Sequence, residues 1–376
     1  MASNWSNLQC ELLELILKRL AIVDTIRFKA VCSSWYTAAK SYTSFPNSYK
    51  AQTPWLMLRS HDGEDDPDAR CFFSISDDKF YKINVFEGFL DALCIGSSYG
   101  WLLVLDQNAN LHVLNPFSLK FKMQLPLINT LIKSPYLKEF RKHYIFKAIL
   151  LSDPFRNKTF SVVMMYGPLS RRRLAFCRYG DKAWSRLGSQ NRTYYNFYKD
   201  IICCNGFLYA LSCSGQVEIW DFKTNFPEKI LDVEFSRTVR RSVKEHADYL
   251  FAKYHLVESM GEVLFVLELM GEIDDFWSIG TIGFAIYKMD SCGNRWLKVE
   301  NLSDRAIFVD RNECVLISTK DFPQVRENSI YFRNYLNGGR KNIGVYNLIE
   351  KKIVGKADHH YIHIILSSIC IVPNPW

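Results

Sequence analysis

The pattern of apolar positions divides the chain into a short helical segment and a long remainder built from strands. Between Leu8 and Leu20, leucine and isoleucine recur at helical spacing. At about 100° per residue their side chains cover an arc of roughly 200°, and one core-facing helix needs only about half of that arc. The pattern therefore predicts an amphipathic helix that carries more apolar surface than its own core requires.

Two further short helices are predicted before residue 45. Asp24 is the expected N-cap of the second, and a serine is expected to cap the third, over residues 32–39. Three such helices bury too little surface to form a stable domain alone. Two explanations of the surplus apolar face remain open: the helices pack as a cap on the following domain, or they dock on another protein.

From Cys71 onward, short runs of Ile, Val, Leu, Phe and Tyr are separated by Gly, Asn, Asp and Pro, which is typical of antiparallel strands. Two pieces recur along this region. An apolar strand follows a glycine or asparagine at Gly100, Gly206, Gly261 and Asn328. A strand ends in Asn or Asp at Asn115, Asp221, Asp290 and Asn347. One unit of about fifty residues accounts for this spacing if a degenerate unit lies between Asn115 and Asp221.

A repeat of that length made only of strands predicts the four-stranded blades of a β-propeller. Residues 71–376 would form about six degenerate blades, with five or seven also compatible. A β-sandwich is the competing all-β fold, but a sandwich gives no reason for one hairpin to recur. Closure of the ring requires its two ends to pair. The expected partners are residues 55–58 or 72–75 at one end and residues 362–366 or 369–372 at the other.

The leading residues match a spaced pattern. It consists of Trp5-Ser-x-Leu8, Glu11-Leu12-Leu13-x-x-Ile16-Leu17-x-x-Leu20 and Asp24-x-x-Arg27-Phe28-x-x-Val31-Cys32-x-x-Trp35. With these residues the segment resembles the F-box, a small all-α three-helix module that binds the Skp adaptor of a cullin-based (SCF) ubiquitin ligase. Gln9 stands where that family usually has proline, which would pre-set the backbone at the helix start.

The resemblance implies that a set of residues in this module contacts the adaptor or supports that contact. They are Leu8, Glu11, Leu12, Leu13, Ile16, Leu20, Val31, Cys32 and Trp35. The implied partners are a Skp-type adaptor and, through it, a cullin.

Short motifs in the strand-rich region carry a second, looser resemblance. They are Asn115-Pro-Phe117, Asp153-Pro-Phe155, Asp310-Arg-Asn-Glu313, Asp321-Phe-Pro323 and Asn328-Ser-Ile-Tyr331. Over most of residues 55–370 the chain is similar to the KIB-type β-propeller of plant F-box proteins. That resemblance implies a plant protein and a propeller of degenerate blades.

Composition narrows the class of protein. A 48% hydrophobic and 15% aromatic content indicates a folded chain. The net charge is +8, and the basic clusters at 171–173 and 237–244 are too short for a nucleic-acid surface, so we expect solvated loops there. Eleven cysteines without a C-x-x-C pair, and no basic signal region at the start, favour the cytoplasm or nucleus. The longest apolar run, 362–372, is too short to span a membrane.

Motifs that could carry chemistry have simpler interpretations. Residues 96–100 match G-x-S-x-G, but a strand follows instead of the helix that a hydrolase needs, so a blade turn is expected. The histidines at 359, 360 and 363 do not share one face of a strand, and Cys203 and Cys204 are expected to be core thiols on opposite faces. The acidic loop 62–68 lacks the glycine and glutamate of an EF-hand. The sequence therefore indicates no catalytic residue, no cofactor and no metal.

The sequence favours a substrate receptor of an SCF ubiquitin ligase without enzymatic activity of its own. Residues 1–45 would be the F-box module, 46–70 a linker and 71–376 a propeller that binds an unknown target protein. One alternative is a propeller enzyme acting on a small molecule or glycan, with the helices as a cap. The other is a protein-interaction module that causes no degradation.

Overall fold

The computed structural model describes the chain in a series of segments. They are residues 5–20, 22–44, 55–58, 70–74, 79–89, 91–118, 121–134, 136–188, 197–235, 251–259, 261–272, 279–290, 295–309, 314–320, 325–335, 341–356 and 368–371. Some expectations concern residues outside these segments. They are the acidic loop 62–68, the basic stretch 237–244, the motifs at 310–313 and 321–323, and the histidines at 359–363.

Three helices begin the chain, as predicted, and a fourth lies between two sheets. They are α1 (Cys10–Leu17), α2 (Ile22–Lys29), α3 (Ser33–Ser44) and α4 (Leu137–Tyr144), with 3-10 turns at Trp5–Asn7, Ile128–Thr130 and Leu169–Arg171. Within the described residues, no helix is both long and apolar enough to cross a membrane.

Two of the expected helix caps were wrong. α2 begins at Ile22, so Asp24 lies inside its first turn, where its carboxylate accepts a hydrogen bond from Arg27 at 3.0 Å. An acidic side chain is also favourable there because it faces the positive end of the helix dipole. α3 begins at Ser33, and the carbonyl of Cys32 accepts the first helical bond from the Tyr36 N–H, so Cys32 occupies the N-cap position.

The remainder forms six small sheets, which we number as blades 1–6. Blade 1 contains β1 (Trp55–Leu58), β2 (Arg70–Ser74), β3 (Lys79–Ile83) and the last strand, β25 (Ser368–Ile371). Blade 2 contains β4 (Leu93–Ser98), β5 (Trp101–Leu105), β6 (Leu111–Leu114) and β7 (Lys122–Gln124). Blade 3 contains β8 (Ile145–Leu150), β9 (Ser161–Tyr166), β10 (Arg173–Arg178) and β11 (Ser185–Leu187).

The second half continues in the same way. Blade 4 contains β12 (Tyr198–Cys204), β13 (Phe207–Ser212), β14 (Gln216–Asp221) and β15 (Glu228–Glu234). Blade 5 contains β16 (Phe251–Ser259), β17 (Glu262–Glu272), β18 (Ile279–Met289) and β19 (Trp296–Val299). Blade 6 contains β20 (Arg305–Val309), β21 (Cys314–Ser318), β22 (Ser329–Tyr335), β23 (Lys341–Asn347) and β24 (Lys352–Lys356).

The blades are arranged radially around a common axis. The strands that contact the neighbouring blades at the centre are β25, β4, β8, β12, β16 and β21, one from each sheet. Among the described residues, apolar clusters fill every interface between successive sheets, including the interface between blade 6 and blade 1. The predicted fold, a helical module followed by a propeller of about six blades, is therefore confirmed.

The ring closes by pairing the two ends of the propeller, through one of the expected pairs of segments. β1 lies between β2 and β25, and Trp55 is opposite Ile371 while Leu58 is opposite Ser368. β1 falls within the stretch 46–70 that we expected to be a linker, so this stretch contributes a propeller strand.

The recurring sequence pieces occupy equivalent positions in blades 2, 4 and 5 and lie one strand later in blade 6. The strands after Gly100, Gly206 and Gly261 are the second strands of blades 2, 4 and 5, whereas the strand after Asn328 is the third of blade 6. Three of the Asn and Asp markers form turns in which the side chain accepts a backbone N–H from two residues later: Asn115 from Phe117, Asp221 from Lys223 and Asn347 from Ile349. Asp290 instead accepts the N–H of Arg295, five residues later. The repeat is therefore a repeat of turn chemistry.

The G-x-S-x-G match forms a blade hairpin, as expected. Tyr99 and Gly100 both have positive φ, 53° and 80°, which is the geometry of a tight turn between antiparallel strands. Gly96 faces the inner strand of the next blade, where an added Cβ would lie 2.0 Å from the carbonyl oxygen of Ala148. The glycine is therefore needed for close approach of two inner strands.

Blade 6 departs from the predicted four-stranded meander. It has five strands in the order β21-β20-β22-β23-β24, and β20 pairs with β22 in parallel while its other neighbour, β21, is antiparallel. The strand at the axis in this blade is therefore the second in chain order. No periodicity of the sequence distinguishes this order from a simple meander.

Blade 5 contains a buried ion pair. His255 Nε2 lies 3.2 Å from Glu268 Oε2, and Glu268 also accepts hydrogen bonds from Lys253 and Thr281. Burial alone lowers the pKa of His255, but the neighbouring Cys314 and Glu268 outweigh burial and raise that pKa above its ordinary value. Burial alone raises the pKa of Glu268, but His255 and Lys253 outweigh it and lower that pKa. Both side chains are therefore charged in the folded protein at neutral pH.

This pair makes the stability of the propeller depend on pH. Protonated His255 stabilises the fold fully below its unfolded pKa of about 6.5, and this stabilisation is lost as pH rises. Ionised Glu268 stabilises the fold fully above about pH 4.3 and loses its contribution as pH falls. We expect His255→Gln to lower the free energy of unfolding by about 3–5 kcal/mol at pH 5.5. Above pH 6.5 the difference from wild type should narrow by about 1.4 kcal/mol per pH unit.

Urea unfolding of both proteins between pH 5 and 9 measures this difference. A difference that stays constant across that range would show that His255 is neutral in the folded state.

Candidate functional site

The three N-terminal helices form a small core of their own. Leu13 and Leu17 of α1, Phe28 of α2, and Ala38 and Ala39 of α3 are buried together. Four of the residues predicted to contact or support the adaptor pack partly buried against this core. They are Leu8, Ile16, Leu20 and Trp35. These four and the buried Leu13 shape the module.

The other side of α1 is exposed. Leu12 and Leu15 are 46% and 55% exposed, although Leu13 beside them is buried. At about 100° per residue, Leu12 and Leu15 lie some 60° apart on one face of α1. Leu13 and Leu17 lie together on the adjacent face. Val31, in the turn between α2 and α3, is 57% exposed. The surplus apolar surface predicted from the sequence is therefore divided between the module's core and solvent.

The start of α3 is fastened to the N-terminal 3-10 turn. The Trp35 indole N–H donates to the carbonyl oxygen of Trp5 at 3.0 Å, and the Ser34 hydroxyl donates to that of Ser6 at 2.8 Å. The Trp35 ring also packs on Phe28, with ring centroids 4.3 Å apart. Trp35 therefore links α3 to the 3-10 turn and to α2.

Two polar members of the predicted set differ in their surroundings. Glu11 is exposed in the first turn of α1. Cys32 is partly exposed, its Sγ lies 3.1 Å from the Ser34 hydroxyl, and this hydrogen bond is the main cause of a lowered pKa of the thiol. Among the described residues, no cluster of His, Cys, Asp or Glu could hold a metal ion.

The prediction missed exposed apolar residues beside this set. Leu15 shares the face of Leu12, and Trp5 and Tyr36 are also at least half exposed. Helical spacing alone could have identified Leu15, because it lies three residues from Leu12. The exposure of Trp5 and Tyr36 depends on how the helices pack, which the spacing does not determine.

The module packs mainly on itself. The larger contacts of α1 and α2 are with α3, and no contact of comparable extent joins these helices to a described strand. Val23 of α2 lies against the apolar cluster between blades 1 and 2. The propeller leaves Leu12, Leu15 and Val31 uncovered.

Comparison with known protein families agrees with this division of the chain. The F-box domain profile matches residues 5–46, and the KIB1-4 beta-propeller profile matches residues 72–347, well over half of the chain. The chain belongs to the F-box proteins with a KIB1-4 β-propeller.

Relatives in Arabidopsis thaliana align with most of this F-box protein. The F-box/kelch-repeat protein KIB1 is 27% identical over 369 residues, which cover 94% of this chain and 86% of KIB1. A probable F-box protein is 28% identical over 383 residues, covering 93% of this chain and 91% of the relative. A putative F-box protein is 27% identical over 346 residues, which cover 87% of this chain and 83% of the relative.

Gln9, which replaces the proline usual in F-boxes, already has the backbone of a proline. Its φ is −62° and its ψ is 147°, and its carbonyl oxygen accepts the N–H groups of Leu12 and Leu13. The Gln9 side chain makes no capping hydrogen bond. The proline ring would fix φ near this value. The F-box module therefore keeps the family's helix start without the proline.

We expect Gln9→Pro to stabilise the helical module by about 0.4–1 kcal/mol, because proline reduces the freedom of the unfolded chain at a φ that it can adopt. Thermal unfolding of the full chain, followed by the circular dichroism signal of its helices, measures the change. Gln9→Ala is the control and should lack this gain. A loss of stability in Gln9→Pro would show that the N–H of residue 9 or the conformation of Leu8 matters more.

Proposed function

We propose that this F-box protein is the substrate receptor of an SCF-type ubiquitin ligase. Its helical module would dock on a Skp-type adaptor, and through it on a cullin, while the propeller binds a target protein. The observation that carries the proposal is the exposed apolar surface of Leu12, Leu15 and Val31, which the chain's own propeller leaves uncovered. Burying the exposed half of such a side chain is favourable by about 1 kcal/mol, since burying a whole one is favourable by about 1.5–3 kcal/mol.

The predicted adaptor-binding residues would then have two roles. Glu11, Leu12 and Val31 are exposed and would touch the adaptor directly. Leu13 is buried and would act only by supporting the module. The partly buried residues would form the edge of the contact. They are Leu8, Ile16, Leu20, Cys32 and Trp35.

The proposed role requires no covalent chemistry from this chain. Residues 1–45 would attach the receptor to the ligase, and the propeller, expected over residues 71–376 with β1 of the linker added, would hold the target. Holding a target lysine near the ubiquitin carrier raises their effective concentration. The work of such a receptor would take place in the cytoplasm or nucleus.

An enzyme on the propeller has weaker support. A glycosidase-like mechanism needs two carboxyl groups that act together on one substrate. In the part of the propeller that the structure describes, two buried carboxylates lie on strands at or next to the axis. Asp200 is already engaged by Lys147 at 2.7 Å, and Glu268 by His255. These interactions favour structural roles for both carboxylates.

The docking surface can be tested by charge insertion. We expect Leu12→Asp with Val31→Asp to weaken co-purification of a Skp adaptor at least tenfold, since every 1.4 kcal/mol of lost binding is about a factor of ten. The matched control is Leu297→Asp with Ile349→Asp, because these propeller residues are also 46% and 57% exposed. Binding to immobilised adaptor gives the measurement. Equal binding by both double variants would exclude this face as the docking surface.

The same full-length variants test the ligase role. Proteins captured by the propeller should be recovered with wild type and with the Leu12/Val31 variant, but only wild type should shorten their half-lives. Quantitative proteomics of captured proteins, with and without a block of protein synthesis, measures both quantities. If the captured proteins have the same half-lives with wild type and with the Leu12/Val31 variant, the chain is a non-degradative interaction module.

A further inference from the structure

Three cationic residues lie close to the start of the inner strands of blades 3 and 4. Lys147 lies on β8, Lys199 on β12, and Arg172 in the loop that leads into β10. The Arg172 carbonyl accepts the N–H of Tyr198, which places Arg172 beside the residue that precedes Lys199. We had expected a solvated loop at 171–173, and for Arg172 this was wrong: it is partly buried, and its guanidinium lies 3.8 Å from the centre of the Phe146 ring.

Among the described residues, the carboxylate of Asp200 lies close to these cations, and both of its oxygens already accept hydrogen bonds. Asp200 Oδ1 accepts hydrogen bonds from Lys147 Nζ at 2.7 Å and from the Ile201 N–H at 2.8 Å. Asp200 Oδ2 accepts the N–H of Leu256, on the inner strand of blade 5, at 2.8 Å. Asp200 therefore joins three blades and balances Lys147, and within the described part of the chain no carboxylate forms an ion pair with Arg172 or Lys199.

The surroundings of Arg172 and Lys199 destabilise the charged forms of both side chains. Burial lowers the pKa of Arg172 to about 10, with a partial opposing effect of Asp200. Burial and then the nearby Arg172 lower the pKa of Lys199. The Arg172 Nε–H is buried and donates to no acceptor of the described chain. Lys199 Nζ lies over the rings of Phe197 and Tyr254, at 5.0 and 5.8 Å from their centres.

Two neighbouring cations that are partly desolvated and unpaired repel each other, and an oxyanion between them would remove this penalty. A guanidinium presents parallel donors that match the oxygens of a phosphate. A phosphate monoester carries a charge of about −1.5 to −2 at neutral pH, which balances both cations, whereas a carboxylate balances only one.

We propose that Arg172 and Lys199 form a binding site for a phosphate monoester at the axis of the propeller. Lys147 and Asp200 hold the floor of this site, and Phe146, Phe197 and Tyr254 keep the two cations in position. The phosphate comes either from a free phosphorylated compound or from a phosphorylated side chain of a docked protein. The site is built by blades 3–5 alone, so it does not depend on the ligase role proposed above.

Calorimetric titration of the full-length protein with inorganic phosphate, at constant ionic strength set by sodium chloride, tests the site directly. We expect one saturable site in wild type. Arg172→Gln with Lys199→Gln should weaken binding at least tenfold, because both charges that face the phosphate are lost. Lys158→Gln with Lys182→Gln is the matched control, since it removes the same charge from exposed positions, and it should bind as wild type does. Equal weakening in both variants, or no binding by wild type, would overturn the proposal.

Thermal unfolding separates binding from damage to the fold. In chloride alone, the Arg172/Lys199 variant should unfold at the same temperature as wild type or at a higher one, because the repulsion is gone. Phosphate at ten times its dissociation constant should raise the midpoint of wild type by about 2 °C more than that of the variant. Phosphate also stabilises proteins without binding a site, so the difference between the two proteins is the measurement. An equal rise in both would contradict the site.

A short peptide with a central phosphoserine distinguishes the two sources of the phosphate. If the natural ligand is a phosphorylated protein, this peptide should bind at least tenfold more tightly than inorganic phosphate, and its unphosphorylated form should not bind. If the ligand is a free phosphorylated compound, the peptide should bind no more tightly than inorganic phosphate. Equal binding of the phosphorylated and unphosphorylated peptides would overturn the site.

Discussion

Every sheet of this protein is apolar on both faces, and the whole propeller depends on covering them. Adjacent residues of one strand supply different interfaces: Trp55 packs between blades 1 and 2, and Leu56 packs between blades 6 and 1. Cys203 and Cys204 likewise face opposite neighbours, in the interfaces of blade 4 with blades 3 and 5. A sheet at the end of an open row would expose one of these faces to water, so the row must close into a ring. The pairing of β1 with β25 completes that closure.

The helical module follows the opposite rule, because it does not cover all of its apolar surface. Neighbouring residues of α1 again serve different faces, but Leu13 enters the core and Leu12 faces solvent. Val23, which contacts the propeller, belongs to α2, so this contact does not cover the exposed apolar face of α1. An exposed apolar face of this kind marks an interaction surface. The proposed receptor role rests on this difference between a propeller that is closed and a module that is not.

Local signals predicted the repeat and the helices, and non-local packing decided what was missed. Asn115 and Asp221 were recognisable because an Asx turn needs only residues two positions apart. The parallel pairing of β20 with β22 joins strands separated by the whole of β21, and no short-range pattern encodes it. Asp24 was misplaced as a cap because a plausible capping residue also fits the first turn of a helix that begins two residues earlier.

The site at the axis could not be predicted for a related reason. Arg171, Arg172 and Arg173 form one basic run in the sequence, yet Arg172 stacks on Phe146 of the inner strand β8. This contact joins a loop to an inner strand that lies more than twenty residues earlier in the chain. For the helical module, spacing correctly indicated that α1 has two apolar faces, but the packing of α2 and α3 decided which face is buried.

Closure of the ring also explains how unpaired cations can persist at its centre. Asp200 is fixed by the backbone N–H groups of its own blade and of blade 5, so its position does not depend on a cation. Arg172 and Lys199 are held by aromatic rings of the surrounding blades, and cation–π contacts of this kind contribute about 0.5–1 kcal/mol each. This cation–π stabilisation is smaller than the stabilisation by an ion pair in a partly buried site. An oxyanion that binds beside Arg172 and Lys199 would therefore stabilise them further. In a single ordinary sheet such residues would relax into solvent, whereas here the neighbouring blades keep them at the axis.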